Sequence, residues 1–152
     1  MVTLRSAKPT CAGSIPARTS MSNSNLVVKR SQKYNGLGVF SNKDFQNTEI
    51  IYEYTLTEIS KNTYDKLSAE EKSKIYKKDK YYDLGEIIKY LNHSCSANTH
   101  THFIWNKNIG IVYASKNIGK GEEITANYMM YNKNGFNCLC GYENCVKKVS
   151  LI

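Results

Sequence analysis

No run of apolar residues in this 152-residue chain approaches the ~20 that a membrane-spanning helix needs, so no bilayer crossing is expected. No secretory signal opens it, which argues against a secreted scaffold held by disulfides. No internal repeat recurs, and residues 1–20 contain neither an acid nor an aromatic. What is there is ordinary for a globular protein: 41% apolar and 22% charged residues, in one domain's length of chain.

The acid-free opening stretch is rich in Ser, Thr, Ala and Pro and carries Arg5, Lys8 and Arg18. A basic transit peptide has this composition. The preferred explanation is different: Ala12 to Ala17, AGSIPA, back-translates readily to a tRNA T-arm stem-loop, so translation is expected to begin at Met21. Either way residues 1–20 are expected to be a disordered or spurious leader, and Cys11 is set aside with them. The net charge of +8 suits an acidic partner and admits nucleic-acid contact. Its distribution tempers that reading, because the lysines from Lys72 to Lys80 sit among Glu70, Glu71 and Asp79, as on a solvated face.

Short strands dominate the rest. NLVVKR (Asn25 to Arg30) is β-rich, and Gly36 and Gly38 bracket Leu37 in a turn expected to lead into a strand at Val39–Phe40. A turn near Gln46–Asn47 precedes a strand from Glu49 to Tyr54. Thr55 to Lys80 is charged and helix-prone, with Ser68 and Glu71 spaced as a capping box that opens AEEKSKIYKK. DLGEIIKYL predicts a short helical turn, HFIWNKNIGIVYA a hairpin turning through Asn106 to Gly110, and GKGEEITANY a turn into one more strand. The fold class is therefore mostly β with one insert helix.

KYLNHSCSANTH, residues 89 to 100, places Asn92, His93, Ser94 and Cys95 in a row. A Cys–His nucleophile, a metal site and a cofactor-binding turn all fit such a cluster. The other cysteines help to choose. Cys138, Cys140 and Cys145 stand in a C-x-C-x4-C pattern, and thiols two residues apart do not both reach remote disulfide partners easily. They do suit tetrahedral zinc, whose thiolates lie at ~2.3 Å. Cys95 is the simplest fourth ligand, and a metal-bound thiolate is not a free nucleophile. A dyad of Cys95 with His93 or His100 is accordingly disfavoured.

Four separated blocks, in order, resemble the SET-domain protein lysine methyltransferases. Gly36-Leu37-Gly38 is similar to the family's G-x-G turn, and Tyr90-Leu91-Asn92-His93-Ser94-Cys95 to its aromatic-aliphatic-NHSC block. Gly121-Glu122-Glu123-Ile124-Thr125, followed by Tyr128, resembles its GEE-[IL]-T strand, and Cys138 through Cys145 its post-SET zinc loop. The resemblance implies small curved β-sheets around a knot-like C-terminal crossing, in which the chain after GEE-[IL]-T threads beneath the Asn92–His93 loop. It divides the chain into a SET domain at 21–133, with an insert at about 55–80, and a post-SET zinc-binding segment at 134–152. No cysteine cluster precedes Gly36, so a minimal version is expected.

The function implied is transfer of methyl from the sulfonium of S-adenosyl-L-methionine to a lysine ε-amine of a protein. Only about one lysine in 2,500 is neutral at pH 7, so an apolar aromatic channel must favour the free amine by desolvation. The enzyme then chiefly aligns the reacting atoms. Tyr128 resembles the catalytic tyrosine, with Tyr54 as a second catalytic-channel tyrosine and Tyr131 as a further channel candidate. Gly36, Leu37, Gly38, Asn92, His93, Tyr128 and Leu139 resemble the cofactor-binding residues, His93 through its backbone more than its ring. Leu139 and Val149 would close an apolar lid over the adenine. Cys95, Cys138, Cys140 and Cys145 are the expected Zn2+ ligands.

The chain departs from the family at Ala97, where proline is usual, with Asn98 retained, and at Ala126, where an aromatic is common. Ala126 is expected to leave room there, so that Ala126→Tyr would shift products towards monomethyl-lysine. The implied partner is a basic protein with an exposed lysine: a histone, a nucleoid protein or a ribosomal protein. The expected location is cytoplasmic, or nuclear or host-directed if the substrate is a histone. The competing expectation is a SET-like zinc module that has lost activity and binds chromatin or nucleic acid.

Overall fold

Alternating burial sets the first strand. In β1 (Leu26–Ser31) Leu26 and Val28 are buried while Lys29 and Arg30 face solvent, and β2 (Gly36–Ser41) returns antiparallel, with Leu26 opposite Ser41 and Ser31 opposite Gly36. The computed structural model describes residues 24–128, 136–145 and 148–149. The leader, Met21 and Tyr131 lie outside the described residues. Between β1 and β2 the left-handed residue is Asn35, at φ 53°. This corrects the expected glycine turn: asparagine tolerates that conformation, and Gly36 and Gly38 lie inside the strand.

β3 (Ile50–Thr55) buries Ile51 and Tyr54. The stretch that follows is the largest departure from expectation. Instead of one charged helix it forms β4 (Thr57–Ile59), two short helices, α1 (Lys61–Asp65) and α2 (Ala69–Lys72), then β5 (Ile75–Lys77) and β6 (Tyr81–Asp83). The strands make a three-stranded antiparallel sheet with β6 in the centre. The capping box is real: Glu71 N–H donates to Ser68 Oγ at 3.2 Å, and Ser68 N–H donates to Glu71 Oε2 at 2.8 Å. It starts a helix that stops at Lys72, because the residues beyond it pair in β5. There Tyr76 is buried, with its ring 5.2 Å from Phe103 and 5.8 Å from Trp105. Burial of an aromatic surface outweighs the few tenths of a kcal/mol per residue at stake in helix propensity.

α3 (Gly85–Ile88) buries Ile87 and Ile88 and delivers the chain to β7 (Asn92–His93). The expected hairpin follows as β8 (Thr99–Ile104), a 3-10 turn at Trp105–Lys107 with Asn108 at φ 53°, and β9 (Ile109–Ala114). β9 lies between β3 and β8. Gly110 faces Tyr54 there, and a Cβ at Gly110 would stand 2.3 Å from the Tyr54 ring, so the glycine is needed for close approach.

β10 (Glu123–Ala126) places the site. It pairs antiparallel with β2 and parallel with β7, Thr125 opposite Asn92 and Ala126 opposite His93. Parallel pairing lets two segments about thirty residues apart run side by side, as a crossing of the expected kind requires. Residues 129–135 fall outside the description. Buried Asn98 fastens β10 from another side: its Oδ1 accepts from Thr125 N–H at 2.9 Å, and its Nδ2 donates to the Glu123 carbonyl at 2.9 Å. One side-chain amide thus does the work of a neighbouring strand. The last pair is β11 (Phe136–Asn137) with β12 (Lys148–Val149). Val28, Val39, Phe45, Leu56, Ile87, Ile118 and Ile124 fill the core. Among the described residues no helix is long and apolar enough to cross a membrane.

Candidate active site and metal centre

Tyr128 follows directly from the β7–β10 pair and is held at both ends. Its backbone N–H donates to His93 Nδ1 at 3.0 Å, and its hydroxyl donates to the Leu91 carbonyl at 2.5 Å. The phenolic proton is thereby given to Leu91. The His93 ring stands edge-on to the phenol, with centroids 5.4 Å apart.

Asn92 is oriented by two acceptors. Its Nδ2 donates to the Leu37 carbonyl at 3.0 Å and to Glu123 Oε1 at 2.7 Å. Both partners can only accept, so the amide nitrogen must face them and Oδ1 is presented as an acceptor. Glu123 also receives the Ser31 hydroxyl on Oε2 at 2.7 Å. A Cβ at Gly38 would lie 2.2 Å from Glu123 Oε1 and 3.0 Å from Asn92 Nδ2. Gly38 is therefore required by these two side chains, a reason different from the expected approach to a cofactor. Glu123 was legible only as a strand marker. The signal for more was an acid at the head of the otherwise uncharged strand EITA.

A cleft of about 570 Å3 runs past this group. Gly36, Leu37, Asn92 and Tyr128 line it, joined by Tyr90 and, from the insert, by Lys72, Lys74 and Lys77. The other expected site residues lie elsewhere. Gly38 is covered by Glu123, and His93 is 4% exposed with its ring turned to Cys95 and Tyr128. Leu139 is exposed, and the Val149 side chain is outside the description. Tyr54, 7% exposed, packs over Gly110. Ala126 is 2% exposed and belongs to the core cluster. Ala126→Tyr is accordingly expected to overpack and cost about 1–3 kcal/mol, seen as a lowered Tm, before any change in product.

Glu123 carries a sharper prediction. Glutamine can turn its oxygen to Asn92 and its nitrogen to the Ser31 hydroxyl, so Glu123→Gln should cost less than about 1 kcal/mol of stability. Glu123→Ala leaves the Asn92 amide unheld and should cost about 1.5–3 kcal/mol, the worth of a charged hydrogen bond. Thermal melting reads both, and equal losses in the two variants would contradict this role.

The thiols of Cys95, Cys138, Cys140 and Cys145 converge, with all four Sγ atoms within 4.8 Å of one another and Cys95 3.7 Å from Cys138. Four thiolates at ~2.3 Å around one tetrahedral ion would stand about 3.8 Å apart, so the donors fit zinc in kind, number and spacing. Their proton affinities split. Burial pushes the Cys138 thiol up to about 12, with the neighbouring thiols adding to it. Burial also raises Cys140, but the Tyr142 and Cys95 backbone amides and the Cys138 and Cys145 thiols outweigh that and bring it down to about 6. Crowded thiols that cannot all ionise alone are a set that a divalent cation would complete. His93 touches this group: its Nε2 lies 3.3 Å from Cys95 Sγ. Burial lowers the His93 pKa, which favours the neutral ring. Tyr34 closes the other side, its pKa raised by burial and by the nearby Glu123 and Cys140.

Fold and site together define a small β domain in which a doubly anchored tyrosine lines a glycine-edged cleft beside a cluster of four thiols. The profile of the SET domain matches residues 36–129, and the chain belongs to that family. It is 36% identical over 141 residues to the variant-silencing SET domain-containing protein of Plasmodium falciparum, covering 80% of this chain and 5% of that protein. It is 29% identical over 127 residues to a histone-lysine N-methyltransferase, H3 lysine-36 specific, of Debaryomyces hansenii, covering 74% of this chain and 17% of the other. The chain thus spans a small part of these relatives. A Plasmodium falciparum crystal structure assigned as a histone methyltransferase superposes with a TM-score of 0.54 at 29% identity, covering 68% of this chain and 96% of that one.

Proposed function

We propose that this domain transfers methyl from S-adenosyl-L-methionine to the ε-amine of a lysine in a basic protein, most simply a histone. Tyr128 carries the reading: its hydroxyl proton is committed to Leu91 while its ring borders the cleft that Asn92 and Gly36 line. The cleft fits the cofactor chemically. Asn92 Oδ1 would accept from an α-ammonium, the backbone at Gly36 meets a ligand with no side chain between, and Lys72 and Lys77 would attract a carboxylate, Lys74 being paired with Glu70.

When bound, the cofactor supplies an electrophilic methyl on a sulfonium. The chain's own residues do the rest. Tyr128, which lines the cleft, would help to hold an incoming amine in line and offer its oxygen to developing positive charge. An apolar, aromatic approach would favour the neutral amine, and Tyr90 and Tyr128 are tyrosines that line the cleft. Cys95, Cys138, Cys140 and Cys145 would hold zinc in a structural role, with every position taken by protein sulfur and none left for substrate. Relatives named for histone methylation support a chromatin protein as substrate and chromatin as the site of action.

Incubation with methyl-labelled cofactor, mixed core histones and ribosomal proteins tests this. Label on a lysine, located by mass spectrometry, is expected. Cofactor binding with no transfer to any of these proteins would point to the inactive module instead.

A further inference from the structure

His93 is an unusual neighbour for both halves of the site. Its Nδ1 accepts from the Tyr128 backbone N–H at 3.0 Å, which places the ring proton on Nε2, and Nε2 lies 3.3 Å from Cys95 Sγ. One buried imidazole therefore spans from a metal-ligand sulfur to the backbone of the cleft tyrosine. The same short segment reaches Tyr128 again, through the Leu91 carbonyl that receives its hydroxyl. A thiolate fixed on a metal would fix the direction of the Nε2–H···S bond. The ring orientation would in turn fix where Nδ1 meets Tyr128.

We propose that His93 is a positioning residue that couples metal occupancy of the four-thiol site to the placement of Tyr128, so that metal and cofactor bind with positive cooperativity. This rests on the methyl-transfer reading of the cleft. Coupling between two sites is reciprocal: whatever factor the metal adds to cofactor affinity, the cofactor adds to metal affinity. The two functions of the ring are separable by substitution. Asparagine keeps an acceptor where Nδ1 stood and loses the reach to Cys95. Glutamine keeps a donor where Nε2 stood and loses the acceptor for Tyr128.

Cobalt(II) titration of the metal-free full chain, read by thiolate-to-cobalt absorption, measures this with and without saturating S-adenosylhomocysteine. In the wild-type chain the analogue is expected to tighten cobalt binding about tenfold. In His93→Asn and His93→Gln the factor should fall below about threefold. The absorption band should shift in His93→Asn, whose sulfur loses its donor, and stay in place in His93→Gln. A purely structural role for His93 would weaken cobalt binding alike with and without the analogue and leave the factor unchanged, which overturns the proposal. So does a wild-type factor near one where the analogue binds, and this arm needs no variant. An analogue that binds neither the metal-free nor the cobalt form overturns the methyl-transfer reading and takes the coupling with it.

Discussion

Tyr128→Phe should lower kcat by about a hundred- to a thousandfold while cofactor affinity changes less than about threefold. The magnitude is that of removing one preorganised polar group from a reacting centre, ~2.7–4 kcal/mol. The substitution also deprives the buried Leu91 carbonyl of its donor, for which ~1 kcal/mol of stability is the usual cost. The two effects separate cleanly. A melting curve shifted by a few degrees with kcat unchanged would show that the phenol is only a tether for Leu91. A large kcat loss in a protein that melts nearly as before would show that its oxygen serves the transfer. The backbone bond to His93 Nδ1 survives this substitution, so the ring should stay where it is.

Removing the metal should have the second large effect. Cys140 is 1% exposed and stands among the four clustered thiols, and Cys140→Ser replaces a thiolate with a hydroxyl that ionises far less readily. Metal affinity is expected to fall at least about a hundredfold, and activity with it, as measured by competition with a chromophoric chelator. The pH dependence has a definite sign. Each thiol still protonated must release its proton on metal binding, so affinity rises with pH and metal is lost on acidification. Cys140, held down to about 6, is the first to be ready, whereas Cys138, pushed up to about 12 without metal, loses its proton to solvent only as the ion takes its place on the sulfur. Retention that improved towards pH 5 would contradict a thiolate centre.

The chemistry at stake was readable in part from residue identity. Four thiols, a tyrosine after GEEIT and an asparagine before histidine are unusual enough to survive without coordinates, because metal binding and polar positioning demand particular atoms. The structure gathers the four sulfurs and sets Tyr128 and Asn92 on one cleft. The insert was less legible. Its local code favours helix, and the capping box at Ser68 forms as read. The strand after it depends on Phe103 and Trp105, which are distant in sequence and supply the surface that Tyr76 covers. Lys72, Lys74 and Lys77 come to the cleft for the same reason.

The glycines show the division in miniature. Local conformational freedom suggested a turn at Gly36 and Gly38, yet the turn went to Asn35, and Gly38 is small because Glu123 and Asn92 cross over it. His93 repeats the lesson: a lone histidine announces no role, and its ring acquires one by lying between a thiol and an amide that are remote along the chain. Amino-acid order by itself determined which reactive atoms this protein possesses and, through alternating burial, that it is built mainly of strands. Only the tertiary structure decided which of those atoms meet. Contacts between distant segments depend on how strands pair and pack, and no local preference encodes that.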